Sequence, residues 1–317
     1  MSSSLRSLHS IAVSLIFAGL SAGPAWAQAP AAAPALPPLA NSGIYKVPTP
    51  AHPVPILPAL AAPDDKSFYA ERAVPHGRVE VVKYQTSAGV EKQMHVYLPP
   101  GYGTDTARRY PVLYLNHGGG ENDSHWIVNG HADMILDNLI ADGKARPMII
   151  VMPNTSGVVS GKAPKLGEDD ACTQEYLKDI LPFVDGHYRT RPDRDSRAIA
   201  GLSMGGFVVL NTGLPHLETF GELFVFSSGY WPAELSAFKA NIAPLLSQPD
   251  INAKLYMPIY FAAGETDIAY LNSLKTHAVF DEYGIRTFSV LSSNGHEWLN
   301  WRRYLQQTAQ IMFPADR

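Results

Sequence analysis

Gly201-Leu202-Ser203-Met204-Gly205 places a serine between glycines, after a short apolar stretch and before Phe207–Leu210, which can continue as a helix. A serine hydroxyl becomes a useful nucleophile when a general base takes its proton, and the base in turn needs an acid to orient it. The G-x-S-x-G spacing suits a sharp strand-to-helix turn. Such a turn lifts the hydroxyl to the carboxyl edge of a sheet, and side chains flanking it would collide with neighbouring backbone. The Met204 N–H then lies at a helix start, where it can donate to a developing oxyanion. On a turn of this kind the partners follow in the order serine, acid, histidine, each on a loop after a strand. Three histidines lie downstream. His216 precedes every candidate acid loop, and His277 falls within the helical stretch LNSLKTHAVF. His296, in SNGHEW, is left as the base. For the acid, Gly264-Glu265-Thr266-Asp267 offers both Asp267 and Glu265 at the correct sheet edge, and spacing does not choose between them. His117-Gly118-Gly119-Gly120 supplies unobstructed backbone N–H groups upstream, with Gly119 the preferred second oxyanion donor and His117 a structural residue of the loop. These residues together point to acyl transfer through a covalent serine intermediate.

Elements must bring these dispersed residues to one edge. Arg78–Tyr84 and Gln93–Leu98 alternate apolar and polar residues and predict an antiparallel pair at a sheet edge. Near-continuous apolar runs follow at Val112–Asn116, Met148–Met152, Arg197–Ala200, Leu223–Phe226, Leu255–Ala262 and Thr287–Leu291, as parallel strands covered on both faces require. Helical periodicity occupies Ala132–Ala141, Gln174–Val184, Ile268–Tyr283 and Glu297–Met312. The alternation predicts a doubly wound α/β domain, with a mostly parallel central sheet flanked by helices and no separate cap domain.

The chain has 317 residues and a formal net charge of −4, and no basic run marks a nucleic-acid surface. Cys172 is the only cysteine, so no internal disulfide or cysteine metal site supports the fold. No HExxH, EF-hand or P-loop pattern occurs, and neither a metal nor a cofactor is expected. Arg6, the apolar Ile11–Leu20 and Ala25-Trp26-Ala27 form a signal-peptide pattern over residues 1–27. The apolar run is shorter than the roughly 20 residues a membrane span needs, so export without stable membrane insertion is expected. That makes the protein secreted or periplasmic. Residues 28–66, dense in Ala and Pro, read as a surface linker, with Ile44, Tyr45, Val54, Ile56 and Leu57 apolar enough for its second half to lie against the domain, leaving 67–317 as the catalytic domain.

Several blocks together resemble the esterase D-like family of α/β hydrolases, which includes the feruloyl and acetylxylan esterases of carbohydrate esterase family one. They are VYLPPGY (96–102), PVLYLNHGGGENDSHW (111–126), LDNLIADGKARPMIIVMPNT (136–155), FVDGHYRTRPDRDSRAIAGLSMGG (183–206), GETD (264–267) and GHEW (295–298). The resemblance implies an α/β-hydrolase fold with Ser203 as nucleophile, His296 as base and Asp267, over Glu265, as acid. It places the oxyanion donors on the backbone of Gly119 and Met204. The acid loop reads AAGETDIAY, without the cysteine common at that strand end in relatives. Secretion and the family blocks imply an acylated plant polysaccharide as substrate, with feruloyl or a similar hydroxycinnamate as acyl group. Trp126 and Trp298 are then candidates for substrate binding, with Trp301 nearby. Acetylxylan esterase, siderophore esterase and sugar acyltransferase readings share the same nucleophile and base.

Overall fold

A computed structural model describes residues 54–314. The expected signal segment and residues 28–53 of the expected linker lie outside the described residues. The strands are β1 (Arg78–Gln85), β2 (Glu91–Leu98), β3 (Val112–Asn116), β4 (Ile149–Pro153), β5 (Arg197–Leu202), β6 (Glu222–Phe226), β7 (Ile259–Gly264) and β8 (Thr287–Ser292). They form one sheet in the order β1-β2-β4-β3-β5-β6-β7-β8. β1 pairs antiparallel with β2 and β2 antiparallel with β4, while the remaining pairs are parallel. The helices are α1 (His125–Val128), α2 (Ala132–Ala141), α3 (Ala171–Glu175), α4 (Leu181–His187), α5 (Met204–Val208), α6 (Pro232–Leu246), α7 (Ile251–Lys254), α8 (Tyr270–Glu282) and α9 (Trp298–Ala309).

Successive strand residues point to opposite faces, and in β3 this period sorts the core into two layers. Val112 and Tyr114 join Tyr176, Val208, Phe238 and Phe280 on one side. Leu113 and Leu115 join Trp126, Leu136, Trp301 and Leu305 on the other. Apolar residues at both parities explain why the central strands read as continuous apolar runs. Among the described residues β8 pairs with β7 alone, and Ser289 and Leu291 on one of its faces stay exposed.

Two sequence expectations shift. The strand expected from Leu255 begins at Ile259, because Pro258 has no N–H to give a ladder. The helix Pro232–Leu246, which periodicity left unassigned, packs Phe238 and Ile242 into the core. The packed body starts before Ser67, in line with the apolar residues in the second half of the proline-rich segment. Leu57 and Leu60 lie against the α9 side of the core. Gln307 Nε2 donates to Pro58 O at 2.7 Å, and Arg303 Nε to Ala61 O at 2.6 Å. Among the described residues no helix is long and apolar enough to cross a membrane.

Candidate active site

The carboxyl ends of β3, β5, β6, β7 and β8 meet at one edge, and the loops leaving them build the site. β5 ends at Leu202 and α5 begins at Met204, so Ser203 alone makes the turn, at φ 50°, ψ −116°. Its N–H donates to Phe226 O on β6 at 2.8 Å, and its carbonyl accepts from Gly206 N–H at 2.9 Å. The neighbouring glycines are required by space. A Cβ on Gly201 would lie 2.1 Å from Gly205 O, one on Gly205 2.6 Å from Asn116 O, and one on Gly206 2.2 Å from Ser228 Cβ. Without them α5 could not seat against β3 and β6.

His296, on the loop after β8, places Nε2 2.9 Å from Ser203 Oγ and Nδ1 2.8 Å from Asp267 Oδ1. Asp267 Oδ1 also accepts the Ala269 N–H at 2.7 Å. Burial alone would push the Asp267 carboxyl up. The hydrogen bond to His296 and its charge, with further help from Ser227 and the Ala269 N–H, outweigh burial and hold it below the usual carboxylate range. A carboxylate acceptor at Nδ1 fixes the tautomer that leaves Nε2 free to take the serine proton. Glu265 stays exposed, its backbone N–H tied to Ser292 O. His216 pairs with Asp169 and Glu218, and His277 bonds Thr287 Oγ1, so neither reaches Ser203.

Gly119 faces Met204. A Cβ added to Gly119 would stand 3.6 Å from Met204 Sδ. Met204 opens α5, where N–H groups lack carbonyl partners within the helix. His117 braces the loop: Nδ1–H donates to Gly118 O at 2.8 Å and Nε2 accepts the Thr155 N–H at 3.2 Å. Burial pushes the His117 pKa down, which keeps the acceptor nitrogen bare. Glu121, which no motif singled out, accepts the Gly118 N–H at 2.9 Å and the Trp298 indole N–H at 3.1 Å. It ties the glycine loop to the start of α9.

The tryptophans divide. Trp126, expected at the substrate, is 1% exposed and donates its indole N–H to Asn116 O at 2.9 Å. It is a core residue beneath the site, which corrects that expectation. Trp298 is half-buried and meets Trp126 edge-on at 5.1 Å and Trp301 at 5.2 Å. Trp301 is buried, donates to Ser227 Oγ at 2.9 Å, and stands edge-on to the His296 ring at 5.0 Å. Among the described residues the exposed indole is Trp231, on the loop after β6 at the start of α6, with Ile268 and Leu271 exposed on the β7–α8 segment. Sequence patterns gave Trp231 no signal, because an exposed aromatic on a loop belongs to no period.

A protein-family model described as "Putative esterase" matches residues 86–309. The chain is 35% identical over 262 residues to an endo-1,4-beta-xylanase/feruloyl esterase of Xylanibacter ruminicola, covering 78% of this chain and 33% of that protein. It therefore spans about a third of the length of that curated relative. Among solved structures, a ferulic acid esterase superposes with a TM-score of 0.64 at 25% identity, covering 75% of this chain and 98% of that one. A mutant of the feruloyl esterase module from Clostridium thermocellum, complexed with sinapinate, gives 0.64 at 22% identity, with 81% and 95% covered. The fold is the α/β-hydrolase fold.

Proposed function

The chain belongs to the esterase family, and from that premise we propose that it is a serine carboxylic-ester hydrolase working through Ser203, His296 and Asp267. The observation that carries the reading is the unbroken hydrogen-bond line from Ser203 Oγ through His296 to Asp267, at 2.9 and 2.8 Å, on a strand-to-helix turn. In the first step Oγ attacks the ester carbonyl while its proton passes to His296 Nε2. The carbonyl oxygen, now negative, is met by the Gly119 and Met204 N–H groups. His296 returns the proton to the leaving alcohol oxygen, and the acyl-serine remains. Water then gives its proton to Nε2, attacks the acyl carbon and releases the acid, and Ser203 recovers its proton. Asp267 stays ionised throughout and stabilises the imidazolium.

The proposed substrate is a hydroxycinnamoyl ester on a plant polysaccharide. Relatives named as feruloyl esterases support it, as does an exposed indole, Trp231, on the loop after β6. The ring of Phe207 on α5 lies 5.4 Å from Tyr230, and Trp231 follows next in the chain. Export to the periplasm or the medium, directed by residues 1–27, would bring the enzyme to such a polymer.

Turnover of feruloylated arabinoxylan, acetylated xylan and a trilactone siderophore, each with and without an acceptor sugar, tests the reading. Ferulate release is expected, and Ser203→Ala should lower kcat by about 10⁴-fold or more. Acetate release without ferulate release would move the substrate to acetylxylan, and acyl-sugar product would make the enzyme a transferase. Unchanged turnover in Ser203→Ala would overturn the mechanism.

A further inference from the structure

The loop that presents His296 is under backbone strain. Asn294 sits at φ 70°, and its carbonyl passes so close to β7 that a Cβ on Gly264 would lie 2.1 Å from it. Such a conformation persists where the surroundings over-determine it. The carbonyls on either side of Asn294 are both held by one amide: Asn300 Nδ2 donates to Ser293 O and to Gly295 O, each at 2.9 Å. Asn300 is fully buried in the first turn of α9. Its Oδ1 accepts from Arg303 Nη1 at 2.8 Å, and Arg303 Nε donates at 2.6 Å to Ala61 O.

We propose that the end of the proline-rich segment is a working part of the active site: Ala61 orients Arg303, Arg303 orients the Asn300 amide, and Asn300 holds the loop that presents His296. The proposal rests on the reading of His296 as the base. Its physical core is polarity. A guanidinium has only donors, so it can meet only the oxygen of the Asn300 amide. The NH₂ group must then face the two loop carbonyls, which have only lone pairs. Were the amide turned over, its oxygen would oppose both carbonyls and the loop would lose its grip. The guanidinium is a rigid planar fork, so anchoring Nε on Ala61 O fixes where Nη1 points. Pro58 O, held by Gln307 Nε2, keeps the strand of chain before Ala61 against α9. Asn300 and Arg303 are positioning residues, since neither touches Ser203 or the imidazole by hydrogen bond.

The test uses the full chain and a soluble ester such as p-nitrophenyl acetate, with active sites counted by a fluorophosphonate that labels Ser203. Asn300→Ser and Arg303→Met are each expected to lower kcat per labelled site by about 10- to 100-fold, because small displacements of a reacting group cost that much. KM should stay within about twofold, as ground-state binding is untouched. The double variant should lose little more than Asn300→Ser alone, since the two act in series. Arg303→Lys, which keeps a donor on a long stem, should recover part of the loss that Arg303→Gln does not. If Asn300→Ser fails to fold, the Lys and Gln variants still decide the matter. A lower melting temperature with full kcat per labelled site in all of them would overturn the proposal. Turnover surviving in Ser203→Ala would instead overturn the reading of the triad, whatever these variants do.

Discussion

Ser203 pays for its position in backbone geometry: a non-glycine residue at φ 50° costs about 1–3 kcal/mol, and α5, β6 and the glycine-lined seat hold it there. The proposed choice of acyl group would fall to residues with no strain and no motif. Trp231 leaves 48% of its surface exposed where burial would be favoured, and a planar acyl group could cover it. Trp231→Ala is expected to raise KM for a feruloyl ester by about 5- to 50-fold, the worth of an aromatic contact plus lost apolar burial. KM for an acetyl ester should move less than about twofold. Steady-state kinetics on the two esters check this, and equal losses on both would remove Trp231 from the acyl site. The same contrast explains what the sequence made legible at this scale. Ser203 and His296 follow a rule of chain order that reflects strand order, so the alphabet alone can locate them, and the same rule narrows the acid to Glu265 or Asp267. Glu265 and Asp267 differ only in which side of a loop they occupy, and Trp126 and Trp231 only in burial. Those are tertiary facts, visible once β7 and β6 are in place.

Elements meet here at glycines, and two substitutions of one kind show which force wins. Gly186 lies in α4, and a Cβ added there would meet nothing within 4 Å, so Gly186→Ala should gain about 0.5–1 kcal/mol of helix propensity. Gly205 lies in α5, where the same propensity gain meets Asn116 O at 2.6 Å and His117 O at 2.7 Å. Overpacking against backbone costs about 1–3 kcal/mol or more and outweighs the gain. Gly205→Ala should therefore melt about 2–8 °C below the parent and lose kcat, because the displaced β3 loop carries Gly119. Thermal melts of the pair check the sign, and a Gly205→Ala as stable as Gly186→Ala would mean α5 is not seated as described. Strand limits were legible where sterics act locally: β3 begins and ends where its apolar run does, and Pro258 delays β7. The helix Pro232–Leu246 carries Pro244 in its last turn and the strap at 57–61 carries no period at all. Both are held by what they pack against, which local pattern does not record.

Across the whole molecule, acid should act through partly desolvated histidines before it reaches Asp267. Burial pushes His117 down from 6.5, against a hydrogen bond to Gly118 O. His131 is lowered by burial and then by Arg302, and His277 by burial against Asp281. His76 moves the other way, raised first by its hydrogen bond to Asp137, but its ring is largely at the surface and solvent screens it. For a histidine whose folded pKa is depressed, the unfolded chain takes up the proton first. Stability is then full above 6.5 and lost as pH falls from there toward the folded value. Asp267, a depressed carboxylate, keeps its contribution until pH falls below about 3.8 and through its folded value. The formal charge of −4 opposes this trend, since mild acid brings the chain nearer neutrality. A net charge of four over 317 residues is a weak field against three partly desolvated rings, so the local effect should win. The melting temperature is expected to fall between pH 7 and 5.5, before the contribution of Asp267 is lost. A variant with His117→Asn should show a shallower fall. Activity should decline with it, since a proton on His117 Nε2 would oppose the Thr155 N–H and loosen the loop that carries Gly119. A melting temperature that is flat or rises over that interval would place the acid-sensitive groups elsewhere.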